Sequence, residues 1–209
     1  MTTKEEYKHF QDNNFSILPM MRKIDAPRET PLSLFKKVED KKNNFLFESV
    51  EGGDKWAQYS IIGFGCVDTI KVSGKTVETS INGTHNSFIS DNPLLAIEEL
   101  TSVYNSPQLE NLPRFYGGFI GFFAYESSQY AENKIEILPA KDSKFQEHMP
   151  DIMLVKAEQL IVFDNLNNST HIIFNANLKS MTHAFAQSKL DEMESLVLRS
   201  ISFEDKDFQ

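Results

Sequence analysis

The sequence is short of cysteine, of tryptophan and of basic charge. Its one cysteine, Cys66, has no partner within the chain, so an internal disulfide is excluded and a reducing compartment is favoured over secretion. The polar beginning, MTTKEEYKHFQDNN, lacks the apolar core of a signal peptide. The most apolar stretch, residues 119–125, is far too short to span a bilayer. A soluble cytoplasmic protein is therefore expected, with no membrane partner. The formal net charge of -9 argues against nucleic acid, whose phosphates require a basic face, and against an anionic lipid surface.

Motifs that carry chemistry are scarce too. The five histidines, His9, His85, His148, His171 and His183, are scattered, with no His-x-His and no HExxH spacing, so no metal site is expected. Neither a phosphate-binding loop nor Gly-x-Ser-x-Gly occurs. Gly117-Gly118-x-x-Gly121 has part of a dinucleotide fingerprint but neither its spacing nor a following helix; it reads as close packing of one strand on another. Asp142, Glu147 and Asp151 lie close in sequence, and a solvated loop explains them as well as an acid–base pair. No catalytic residue and no cofactor is expected in this chain. If it belongs to an enzyme, the chemistry is elsewhere.

What is present is a core. Apolar residues make up 40% of the 209, and there are 17 phenylalanines, so aromatic rings should fill the interior. Residues 1–15 read as a polar arm. Thr30-Pro31 and Asn92-Pro93 each pair an N-cap side chain with proline at the first helical position. Leu34, Phe35 and Val38 give the first helix its apolar face; Leu94, Ile97, Leu100 and Tyr104 serve the second. A third helix is expected over about 181–200, with the stripe Met181, Phe185, Leu190, Met193 and Val197. Strand patterns fall at 45–49, 59–64, 66–72, 76–81, 115–125, 152–156, 160–163 and 171–174. The glycine-rich 115–125 reads as buried, 131–149 as a long loop, and Ser73-Gly74-Lys75 as a hairpin turn. Strands in runs with helices between groups indicate α+β, mainly antiparallel, with about three helices.

One stretch raises a question: FLFESVEGGDKWAQYSIIG, residues 45–63. In a strand, Leu46 and Glu48 share one face, Phe47 and Ser49 the other. A carboxylate among buried apolar residues is costly unless a donor meets it. The donor could be internal, such as Lys55, or the ammonium group of an amino-acid ligand. The residue pattern alone favours the internal partner, because buried charges are usually paired. Trp56 could cap a pocket or cover the core.

Four stretches in order resemble the N-terminal region of anthranilate synthase component I: ILPMMRKIDAPRETPLSLFKKV (17–38), the stretch just quoted, YGGFIGFFAYESSQYAE (116–132) and MPDIMLVKAEQLIVFDN (149–165). The last two are shared more loosely with aminodeoxychorismate synthase component I. The resemblance implies an antiparallel β-sandwich domain over 16–202, a tail at 203–209, and a catalytic domain, binding chorismate and Mg2+, that lies beyond this chain. By itself the chain is then expected to be inactive.

The same resemblance implies a feedback site for L-tryptophan at the apolar-apolar-Glu-Ser element, which reverses the preference stated above. Glu48 and Ser49 become candidates for the effector's polar end, with Phe47 and Tyr59 as walls. A carboxylate accepts from an ammonium, and a hydroxyl adapts as donor or acceptor. Expected partners are L-tryptophan, a glutamine amidotransferase subunit (component II) and the chain's own catalytic domain. The family's arginines are replaced by Gln58 and Gln129, which lose charge and bidentate geometry. The alternatives are the aminodeoxychorismate synthase domain, a free-standing amino-acid-binding module, and a scaffold that docks an amidotransferase.

Overall fold

A computed structural model describes residues 2–26, 29–48, 59–132, 149–167 and 169–199. The described elements run α1 (Lys4–Asp12), β1 (Ile17–Ile24), α2 (Pro31–Lys36), β2 (Phe45–Phe47), β3 (Tyr59–Phe64), β4 (Thr69–Ser73), β5 (Thr76–Ile81), β6 (Thr84–Ile89), α3 (Pro93–Ser102), β7 (Gly118–Phe123), a 3-10 turn (Tyr125–Tyr130), β8 (Ile152–Ala157), β9 (Gln159–Asp164), β10 (Ser169–Asn177) and α4 (His183–Leu198). The strands form two five-stranded sheets, ordered β1-β10-β9-β3-β2 and β6-β5-β4-β8-β7. Every pairing is antiparallel. The α+β class expected from sequence is the class observed.

Helices cover one face of each sheet, and alternation along the strands says which. On the first sheet Leu18, Met20, Ile24, Ile62, Phe64, Ile172 and Phe174 point one way and are buried beneath α1, α2 and α4, which contribute Tyr7, Leu34, Leu190, Met193 and Val197. On the second, Ile70, Val72, Val77, Ile152 and Leu154 pack with Ala96 and Ile97 of α3. A third cluster joins the sheets: Leu160, Val162 and Ile173 of the first meet Ala157 and Ile120 of the second. The chain crosses between the sheets twice, through residues 65–68 from β3 to β4 and through Glu158 alone from β8 to β9.

The caps read from sequence are formed. Thr30 accepts from Ser33 N at 3.1 Å, and Asn92 accepts from Leu95 N at 3.1 Å. Residues 1–15, expected as a polar arm, instead contain α1, closed by a Thr3–Glu6 capping box. Tyr7 is 3% exposed, and its hydroxyl donates to Met181 O at 3.0 Å. One buried ring in nine residues leaves no apolar stripe to read; the Thr-x-x-Glu spacing was the legible signal.

The glycine-rich strand is a second correction. Among the described residues β7 is not buried but an edge of the second sheet, hydrogen-bonded only to β8, with Phe123 55% exposed. Its glycine has the packing role expected. A Cβ on Gly121 would sit 1.8 Å from Met153 O, so only a bare backbone can pair this closely. Gly63 plays a related part in β3, where it lies opposite Phe45 and a Cβ would strike that ring at 2.1 Å.

Two substitutions separate close approach from backbone freedom. Gly121→Ala must push β7 off β8 and is expected to cost about 3 kcal/mol, at the upper end for overpacking. Gly74, in open space at φ +58°, should cost about 1 kcal/mol on Gly74→Ala. Urea denaturation of both variants checks the order; equal losses would contradict it.

Candidate functional site

The β2–β3 pair places the residues singled out from sequence. Its register runs Phe45↔Gly63, Leu46↔Ile62, Phe47↔Ile61, and β2 stops one residue before Glu48. Phe47 is 48% exposed, its ring 5.3 Å from that of Phe45. Glu48 follows directly and is exposed. Tyr59 opens β3 half-buried and packs with Ile61 against the cluster between the sheets. Ser49, Lys55, Trp56 and Gln58 lie outside the described residues. Gln129 donates to Glu126 O at 2.8 Å within the 3-10 turn.

Beside Phe47 the two sheets leave a groove of about 290 Å³, walled by Phe45, Phe47, Ile120, Phe122, Met153 and Val155. Such a trough, apolar with a few polar groups near, suits a flat hydrophobic ligand. Glu48 and Tyr59 are not among the lining residues. The carboxylate of Glu48 is solvated, so the burial cost inferred from its apolar neighbours does not arise.

A second polar constellation escaped sequence reading. Lys156 and Asp68, both under 10% exposed, form a buried ion pair at the end of β8. The ammonium also lies 3.7 Å from Glu158 and 5.1 Å from the Tyr104 ring centroid. Burial pulls the Lys156 ammonium down, but the hydrogen bond and charge of Asp68 outweigh it and hold the group above its ordinary value. Glu158 goes up, chiefly through burial. Asp68 Oδ1 additionally accepts from Asn82 N at 2.8 Å. The legible signal was a lysine inside an otherwise apolar strand, IMLVKA.

Among the described residues no three His, Cys, Asp or Glu side chains come together as a metal site. Cys66 is fully buried, and burial pushes its thiol up to about 11, far from the reactive thiolate range. No described helix is long and apolar enough to cross a membrane.

Comparison with known proteins decides the family. The chain is 35% identical over 193 residues to anthranilate synthase component 1 of Pseudomonas aeruginosa, a match covering 91% of the chain and 38% of that protein. It is 31% identical over 212 residues to the Acinetobacter calcoaceticus protein of the same name, covering 99% of the chain and 42% of the relative. The chain is homologous to one part of anthranilate synthase component 1. It spans less than half the length of these relatives, 36% in Acetivibrio thermocellus anthranilate synthase component 1 at 33% identity. No family model matches. Among solved structures, anthranilate synthase component I from Streptococcus pneumoniae TIGR4 aligns with a TM-score of 0.48 at 22% identity, over 82% of this chain and 35% of that one.

The anthranilate synthase homologue offers two checks on its buried groups. Cys66 should resist alkylation in native buffer and react fully in denaturant, as followed by mass spectrometry; rapid native labelling would refute its burial. Glu158 has a folded pKa above its unfolded value, so its contribution favours folding below the unfolded pKa near 4.5 and is lost as pH rises through the folded one. Glu158→Gln should therefore gain stability relative to wild type as pH rises from below 4.5 toward neutrality. Thermal melts across that range give the answer.

Proposed function

We propose that this chain is the N-terminal, tryptophan-sensing region of an anthranilate synthase component 1. The whole protein then converts chorismate and ammonia, or glutamine through component II, to anthranilate and pyruvate, with Mg2+ held in the catalytic part that this chain does not include. The reading is supported by homology over most of the chain but under half of each relative.

The observation that carries the sensing role is the groove beside Phe47, at the end of β2 where Glu48 follows. The indole of tryptophan can lie in the trough between Phe47 and Phe122 while its ammonium reaches toward the exposed Glu48 carboxylate; Ser49, next in sequence, is the second polar residue that the resemblance implies. Tyr59 backs the same strand pair from the inter-sheet cluster. Apolar contact and a charge-assisted bond then act at opposite ends of one ligand. Inhibition requires that tryptophan prefer one arrangement of this region relative to the catalytic part.

Enzyme assays on the full-length gene product test this. It should form anthranilate from chorismate and be inhibited by L-tryptophan. Glu48→Ala and Ser49→Ala should each raise the inhibitory concentration about tenfold, the equivalent of one hydrogen bond to a charged group, without changing uninhibited turnover. Inhibition that survives both changes removes the site from β2. Formation of aminodeoxychorismate instead of anthranilate removes the assigned reaction.

A further inference from the structure

A separate cavity of about 320 Å³ lies at the opposite end of β7 from the groove, where Gly117 and Gly118 approach the ends of β1, β8 and β10. We infer that it binds a small aromatic carboxylate carrying a neutral hydroxyl or amino group, a ligand class distinct from the amino acid assigned to β2.

Three features of its wall set that chemistry. The apolar surface is aromatic: Tyr104, Tyr116 and Phe119 line it, and Tyr104 meets Phe119 edge-on at 5.4 Å, leaving ring faces for a flat guest. The charges facing the cavity are both positive. Lys156 lines it, whereas its partners Asp68 and Glu158 do not. Arg114, exposed at the rim, has no hydrogen bond or ion pair with any described residue, so its five-donor fork is free for a carboxylate. The wall offers a ligand ammonium no carboxylate, because Asp68 and Glu158 are engaged with Lys156 and do not line the cavity, which disfavours a zwitterionic amino acid.

The third feature is an acceptor without a donor. Asn175 is 5% exposed. Its Nδ2 donates to Tyr116 O at 2.8 Å and to Ala157 O at 3.0 Å, which fixes the amide orientation and leaves Oδ1 as acceptor only. No described residue donates to Oδ1, and the side chain lines the cavity. The atom is open to the cavity rather than sealed from solvent, and a ligand O–H or N–H can meet it there. The glycines keep the entrance open: a Cβ on Gly117 would come 2.6 Å from Asn175 Nδ2, and Gly118 holds φ at +104°.

Calorimetric titration of the chain with benzoate, the three hydroxybenzoate isomers, phenol and L-tryptophan, paired with amide NMR shifts, decides the matter. At least one hydroxybenzoate should bind at one site, about threefold to tenfold more tightly than benzoate, with shifts at Gly117 and Gly118. Phenol and L-tryptophan should leave those two signals unmoved. Arg114→Gln, an exposed change that should leave circular dichroism intact, should weaken hydroxybenzoate binding about tenfold. No saturation by any isomer up to about 10 mM overturns the assignment. So does binding indifferent to Arg114→Gln, and so does tryptophan moving the Gly117 and Gly118 signals. A negative result here leaves the inhibition assays at Glu48 and Ser49 unaffected, because those read a different strand.

Discussion

The joint between the sheets depends on neutralising one buried cation. Lys156 is the penultimate residue of β8, three before the chain enters the other sheet at Gln159, and an ammonium this enclosed is tenable only when paired. Asp68 supplies the pair and holds the position from both ends, since its carbonyl also accepts the Lys156 amide at 2.9 Å while Oδ1 takes the Asn82 amide. The start of β4, the β5–β6 turn and the end of β8 are thereby tied to one carboxylate. Removing either partner leaves an uncompensated charge, a far larger loss than exchanging both for apolar groups. Glu158, half-buried and pushed up in pKa, is the strained member of this arrangement.

That joint also explains why the two concavities sit where they do. β7 follows β8 along its length, so one end of β7 faces the Lys156 cluster and the other faces β2. At the first end the sheets part around Gly117 and Gly118 and leave an aromatic, cationic hollow. At the second, Ile120 and Phe122 meet Phe45 and Phe47 in an apolar trough. One strand therefore carries two environments of opposite character, and the ligand classes proposed for them differ for that reason.

How much of this could be read from sequence follows from what each signal measures. Alternation and proline caps report local structure, and they placed α2, α3, α4 and most strands. β1 was missed because ILPMMRKI carries a proline and no strict alternation; it is a strand because Ile17–Ile24 pairs along the whole of β10. β6 was missed because it is exposed throughout and has no buried face to pattern. The apolar look of GFIGFF indicated a buried strand, but composition cannot tell a central strand from an edge whose rings remain uncovered. At the site, the resemblance pointed to residues 47–49 and 59; of these Phe47 lines a groove, Glu48 and Tyr59 do not, and Ser49 lies outside the described residues. Lys156 stands out as a lysine in an apolar strand, but its partner, like those of Asn175, could not be read because the partners lie 18 to 88 positions away.

The uncovered edge bears on the proposed place of this region in a larger protein. An edge strand rich in aromatic side chains, with Phe122, Phe123 and Tyr125 all exposed, invites pairing with other chains unless something masks it. β6, the other edge of the same sheet, is polar apart from Phe88 and Ile89 and shows how an edge meant for water is written. The two edges thus carry opposite instructions. If the region works beside a catalytic part, β7 is the natural border for it, because the apolar trough there is open to whatever lies against it. A ligand in that trough then touches this border directly, and an effector held by Phe47 and Glu48 can act on its neighbour without any long path through the β-sheets.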